Sequence, residues 1–189
     1  MLDEYGILLT NGVIYIAITV IKQNNRACLL FFTENTRCIR CDPLANPCQA
    51  VSADTAAAAA LACELWAEHS VEEMRKEFAS LLEREDAAVF LYREQGEAVG
   101  FAQCQLRHDY VEGTETSPVG YLEGIYVREN ARRQGIARKL LSACENWAKA
   151  QGCTEFASDC ELDNTDSQRF HHAVGFEEAN RIVAYVKRL

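Results

Sequence analysis

Residues 121–141 read YLEGIYVRENARRQGIARKLL. An apolar run rich in β-branched residues ends at Val127. The chain then turns through Arg132, Arg133, Gln134 and Gly135, and a helical pattern opens at Ile136 and continues through Leu140, Leu141, Cys144 and Trp147 on one face. A strand, a glycine turn and a helix in immediate succession leave several backbone N–H groups without partners at the positive end of a helix dipole. Arg128, Arg132, Arg133, Arg138 and Lys139 stand beside them, a local run of bases in a chain of net charge −9. Such a turn suits a diphosphate. A solvated basic helix start is the plainer reading, and the turn alone does not decide between them.

Upstream of this stretch, an Ala-rich helix is expected over 53–68. A second helix opens with the capping box Ser70-x-x-Glu73 and carries Met74, Phe78, Leu81 and Leu82 at helical spacing. Two strands, 87–93 and 98–107, join through Gln95-Gly96, and a polar loop over 108–118 leads into a third strand, 119–128. Downstream, Gly152 closes the central helix. A strand over 154–160, a short helix over 164–174 ended by Gly175 and a last strand over 181–187 follow. Helices, an antiparallel meander and a β-α-β crossover together make a mixed α/β domain, 46–189.

The first 45 residues differ. They hold an apolar run from Ile7 to Ile21, broken by Thr10, Asn11, Gly12 and Thr19, and a second from Ala27 to Phe32; Pro43 and Pro47 mark a boundary near 45. The first run is too short to span a membrane, and Asp3 and Glu4 replace the basic start of a signal peptide. An added hairpin and a leader segment both remain open. With 28 acidic against 19 basic residues, the surface disfavours nucleic acid and anionic membranes as partners. Nine scattered cysteines suit reduced thiols in the cytoplasm. Cys38, Cys41 and Cys48 raise a zinc question, but no fourth ligand follows at family-like spacing, with only Cys63 or His69 nearby, so no metal is expected.

Arg132-x-x-Gly135-x-Ala137, preceded by LEGIYV, resembles the acetyl-coenzyme A loop of the GNAT superfamily of N-acetyltransferases. Asn164-x-x-Ser167-x-x-Phe170-His171-x-x-x-Gly175-Phe176 resembles that superfamily's later helix, and the likeness covers residues 46 to 189. It implies a central, mostly antiparallel twisted sheet flanked by helices. The strings RHDYVEG (107–113), SPVGYLEGIYV (117–127), GCTEFASD (152–159) and GFEEANR (175–181) are similar, more narrowly, to the aminoglycoside 6′-N-acetyltransferases. That likeness implies a homodimer using acetyl-CoA to acetylate the 6′-amine of a cationic aminoglycoside. It assigns Trp66, Tyr110, Glu123 and Asp159 to the aminoglycoside and Ile125, Tyr126 and Val127 to the pantetheine arm. Arg132, Arg133, Gln134, Gly135, Ile136, Ala137 and Arg138 fall to the diphosphate, and Asn164 to the cofactor. Asn180 departs from the group's pattern, which carries an acid there.

The residues agree with that chemistry. A polycation covered in hydroxyls calls for carboxylates and aromatic faces. Glu155, Asp159, Glu161, Asp163 and Asp166 form a run without a base, and Asp109, Glu112, Glu115 and Glu123 lie in and after the 108–118 loop. Runs of this kind are often only solvated loops. Asp159 and Glu123 fall within strand patterns, where a carboxylate needs a reason. The incoming amine must lose a proton; Asp159 is the expected base, Glu123 its helper, a backbone N–H near Val127 the oxyanion donor, and His171 the candidate for protonating the thiolate. Two other readings stand beside this one: acetylation of another cationic amine, such as a polyamine or a protein N-terminus, and an idle acyl-CoA-binding module.

Overall fold

The computed structural model describes residues 5–10, 13–18, 31–32 and 46–188, the first three segments by backbone alone. Cys38, Cys41 and Pro43 lie outside the described residues, and with them the zinc question. The chain divides into two compact units, 1–45 and 46–189. In the first, strands β1 (Tyr5–Thr10), β2 (Val13–Ile18) and β3 (Phe31–Phe32) form an antiparallel sheet in that order.

The second unit is a five-stranded sheet of order β4-β5-β6-β7-β8. Its strands are β4 (Cys48–Gln49), β5 (Ala87–Glu94), β6 (Glu97–Arg107), β7 (Val119–Val127) and β8 (Phe156–Ser158). All neighbours are antiparallel except β7 and β8, which run parallel. Antiparallel neighbours need only short connections, whereas the parallel pair needs a crossover. Helix α3 (Ile136–Ala150) supplies it.

Helices α1 (Thr55–Leu65) and α2 (Val71–Leu81) cover one face, where Ala58, Ala59, Leu61, Ala62, Met74 and Phe78 pack on Val89, Leu91 and Phe101. Alanines on the inner side of α1 let its backbone lie close to the sheet. Phe101 takes Trp66 and Phe78 edge-on at 5.9 and 6.0 Å between ring centres. The expected capping box is present: Glu73 N–H donates to Ser70 Oγ, and Ser70 N–H to Glu73 Oε2 at 2.9 Å. The other face holds α3, with Ile136, Leu140, Leu141, Cys144 and Ala148 buried, and α4 (Thr165–Val174), whose Phe170 and Val174 pack against the same cluster.

Three boundaries differ from the sequence reading. The first helix is a short 3-10 turn, Ser52–Asp54, followed by α1, which stops at Leu65 because Trp66 leaves helical geometry. The strand expected over 154–160 contracts to Phe156–Ser158, so Asp159 stands just past its end rather than within it. Residues 181–187 form no strand. Ile182, Val183, Tyr185 and Val186 are 74–97% exposed there. Their strand-like composition meets no neighbouring strand within the described residues, and β-propensity without pairing does not make a strand.

Candidate active site

The β7–α3 junction builds a cradle from backbone. Gly135 sits immediately before α3 at φ 77°, and Arg133 also lies in the left-handed region, at φ 64°. A glycine adopts this conformation without strain, and a Cβ built there would meet nothing within 4 Å, so the space in front of the turn is open. The first N–H groups of α3 face that space at the positive end of its dipole. Arg132, Arg133, Gln134 and Arg138 are exposed around the turn, while Ile136 is buried as the anchor that holds it to the sheet. Arg132 Nε donates to Val127 O at 2.8 Å, and Arg138 Nη2 donates to Ala173 O at 2.7 Å. These bonds fasten the turn to the end of β7 and to the last turn of α4.

A second opening lies along β7. Strand β8 pairs only with Gly120, Tyr121 and Leu122, and no described strand lines that edge of β7 from Glu123 to Val127. The N–H and C=O of Ile125 and the N–H of Val127 are thereby left for an extended ligand, in the manner of an added strand, while Val127 O is taken by Arg132. The side chains of Ile125 and Val127 belong to the α3 face. The Tyr126 ring lies on the other face, its hydroxyl donating to Glu64 Oε2 at 3.1 Å, and by strand alternation its backbone faces Phe101 of β6, so Tyr126, expected at the pantetheine arm, turns away from this edge. Asn164 caps α4, its Oδ1 accepting from Ser167 N–H at 3.0 Å.

The acceptor residues gather on the α1 face at the far end of β7. Gln103 pairs with Gly124 but Cys104 pairs with Leu122, so Glu123 is the extra residue of a β-bulge. Bulges re-aim side chains and recur beside active sites. Trp66 packs closely on Gly124: a Cβ there would come within 2.7 Å of the indole. Tyr121 presents its hydroxyl to Asp159, and its pKa is pushed up to about 12, first by burial and then by the Asp159 charge. The Glu123 charge raises it too, so both carboxylates neighbour Tyr121. Tyr110 is 81% exposed on the 108–118 loop and donates to Glu112 Oε2 at 2.6 Å; Asn180 Nδ2 donates to the other oxygen at 3.0 Å.

His171 connects α4 to the sheet. Its Nδ1 donates to Ser167 O at 2.8 Å, which leaves Nε2 of the neutral ring to accept from Ser158 Oγ at 3.0 Å. Ser158 Oγ also lies 3.2 Å from Leu122 O. The ring is held edge-on by Phe176 and Phe170.

Not every acid in the run over 155–166 is free. The Glu155 carboxylate accepts from the N–H groups of Glu115 and Thr116 and from the Thr116 hydroxyl, which hold its pKa below the usual carboxylate value. It fixes the 108–118 loop. Asp166 pairs with Arg169 at 2.9 Å on the exposed side of α4. Asp159, Glu161 and Asp163 remain exposed. Sequence reasoning missed Gln105, Arg107, Tyr121 and Ser158. Alternation along β6, β7 and β8 gives each a face, but no pattern in the chain reveals that a bulge brings Glu123 to Arg107.

The backbone cradle at Gly135, the open edge of β7 and the helix that follows define a class, and comparison with known proteins agrees. The acetyltransferase (GNAT) family matches residues 56–176, and the chain belongs to that family. Among its relatives are the aminoglycoside N(6′)-acetyltransferases type 1 of Serratia marcescens, 48% identical over 131 residues (69% of this chain, 90% of the relative), and of Stenotrophomonas maltophilia, 44% identical over 139 residues (72% and 89%). Similar solved structures include AAC(6′)-Iy in complex with the bisubstrate analog CoA-S-monomethyl-acetylneamine, at TM-score 0.72 and 38% identity, covering 75% of this chain and 96% of that one. The apo AAC(6′)-IG of Acinetobacter haemolyticus superposes at TM-score 0.73 and 39% identity, covering 77% and 99%.

Proposed function

We propose that this protein transfers the acetyl group of acetyl-CoA to the 6′-amino group of aminoglycoside antibiotics and so confers resistance to them. The observation that carries the reading is the pairing of two openings on one strand: a backbone cradle for an anion at the α3 end of β7, and carboxylates with aromatic faces at its bulge. Relatives named for this activity over most of their length support it. So does the structural neighbour that holds a coenzyme A–aminoglycoside bisubstrate analog.

Arg132 to Arg138 hold the diphosphate, through the N–H groups of the turn and the first residues of α3. Ile125, through its N–H and C=O, and Val127, through its N–H, hold the pantetheine arm by backbone hydrogen bonds. Asn164 contributes from the start of α4. Trp66 and Tyr110 offer faces to the sugar rings, and Glu123 and Asp159 hold the ammonium groups. Asp159 takes the proton the amine must lose before it attacks, directly or through water. A backbone N–H near Val127 stabilises the developing oxyanion. His171, held by Ser167 and Ser158, gives a proton to the departing thiolate.

Two copies associate through the C-terminal segment. Four large apolar side chains on an unpaired extended stretch favour a second copy as their cover. Among the described residues no helix is long and apolar enough to cross a membrane. The reaction belongs in the cytoplasm, where acetyl-CoA is made. Thiol release from acetyl-CoA, followed against kanamycin, tobramycin, spermidine and a peptide amine, tests the assignment: turnover with the drugs and little with the others is expected, and activity confined to spermidine or peptide would reassign the substrate.

A further inference from the structure

Glu123 is not a bare carboxylate. Its Oε1 accepts from Gln105 Nε2 at 2.6 Å, Arg107 Nε at 3.0 Å and Arg107 Nη2 at 2.9 Å. Its Oε2 accepts from Arg107 Nη2 at 2.9 Å. The guanidinium carbon lies 3.3 Å from the centre of the Tyr121 ring, so the Arg107 fork is held flat on an aromatic face while its edge grips the acid. The side chain of Glu123 is 19% exposed and that of Arg107 38%. Fork geometry and stacking are properties of arginine that lysine does not share.

We propose that Arg107 is a positioning and specificity-determining residue of the acceptor site: it saturates Glu123 Oε1, compensates the acid's charge and leaves Oε2 as the one atom presented to the acceptor. This rests on the reading above that Glu123 faces the aminoglycoside. A free carboxylate attracts any ammonium from any direction. One locked by an internal guanidinium has little net attraction left and accepts a hydrogen bond along a fixed line, so it selects by geometry rather than by charge. A rigid amino sugar that places its amine on that line is favoured. A flexible polyamine that binds by charge is not. Attraction of the polycation falls instead to Asp159, which is exposed and forms no ion pair among the described residues.

The test is steady-state kinetics at saturating acetyl-CoA for the wild type, Arg107→Met, Arg107→Lys, Glu123→Gln and the Arg107→Met/Glu123→Gln pair, with kanamycin and spermidine. Arg107→Met is expected to raise the kanamycin KM about tenfold or more, with kcat changed far less, and to narrow the preference for kanamycin over spermidine. Arg107→Lys should lie between it and the wild type. The double variant should be no worse than Glu123→Gln alone, because Arg107 acts through that carboxylate. An unchanged or lowered kanamycin KM in Arg107→Met, as when the acceptor displaces the guanidinium, would overturn the proposal. So would losses that multiply in the double variant. Should Arg107→Met fail to fold, Arg107→Lys carries the test, and a wild-type KM there is equally fatal. Glu123→Gln with unchanged kanamycin kinetics sinks the acceptor-site reading itself, whereas an impaired Glu123→Gln beside an unimpaired Arg107→Met sinks only the role of Arg107.

Discussion

The two ends of β7 solve opposite problems by different means. At the α3 end, the site proposed for an anion is built of backbone: Gly135 at positive φ, free N–H groups and an open space in front of them. At the bulge, the site proposed for a cation is built of side chains drawn from four separate places, Trp66 after α1, Arg107 on β6, Tyr121 and Glu123 on β7, and Asp159 after β8. Backbone recognition needs a short contiguous stretch and tolerates many side chains. Side-chain recognition needs the sheet to be assembled first. The charges follow the same division, so the overall −9 conceals one basic site and one acidic site.

If the division holds, substitutions at the two ends should fail in different ways. Asp159→Asn removes the proposed base and should lower kcat by about a hundredfold or more while coenzyme A affinity stays nearly unchanged; calorimetric titration with coenzyme A beside the kinetics reads both, and equal losses would give Asp159 a structural role. Gly135→Val should do the reverse. A β-branched residue at φ 77° is strained, and about 1–3 kcal/mol of strain corresponds to a loss of roughly 5- to 150-fold in coenzyme A affinity if the turn must hold this form to bind. Unaltered coenzyme A binding in that variant would remove the turn from the site.

How much of each end could be read beforehand follows from the same difference. The cradle lay within RENARRQGIARKLL, and its strand, turn and helix fell where the spacing put them. The acceptor end was legible only in part. Glu123, Asp159 and Trp66 came from resemblance, whereas Arg107 and Tyr121 depend on register and on a bulge that no local pattern announces. Short-range propensity misled at residues 181–187, where Ile182, Val183, Tyr185 and Val186 look like a strand but no strand lies beside them. Glu155 looked like one more acid of the acceptor and instead braces the 108–118 loop.

Smaller effects sharpen the comparison further. Gly124→Ala pushes a methyl group into the Trp66 indole and should raise the aminoglycoside KM several-fold without touching coenzyme A affinity; an unchanged KM would detach Trp66 from the acceptor site. Glu155→Gln should produce the mildest change, a lowered melting temperature. Because the folded pKa of Glu155 is depressed, its contribution is present above the unfolded carboxylate pKa and fades as pH falls through the folded one. The gap between wild type and variant should therefore be widest near neutrality and close in acid, and a gap independent of pH would show that charge is not its source.

The central claim is that the acidic end of β7 receives a 6′-amine. Thiol release from acetyl-CoA should be measured with kanamycin and, in parallel, with an otherwise matching aminoglycoside that carries a 6′-hydroxyl. Turnover with the first and none with the second is the expected result; equal turnover with both, or none with any aminoglycoside, would contradict the assignment.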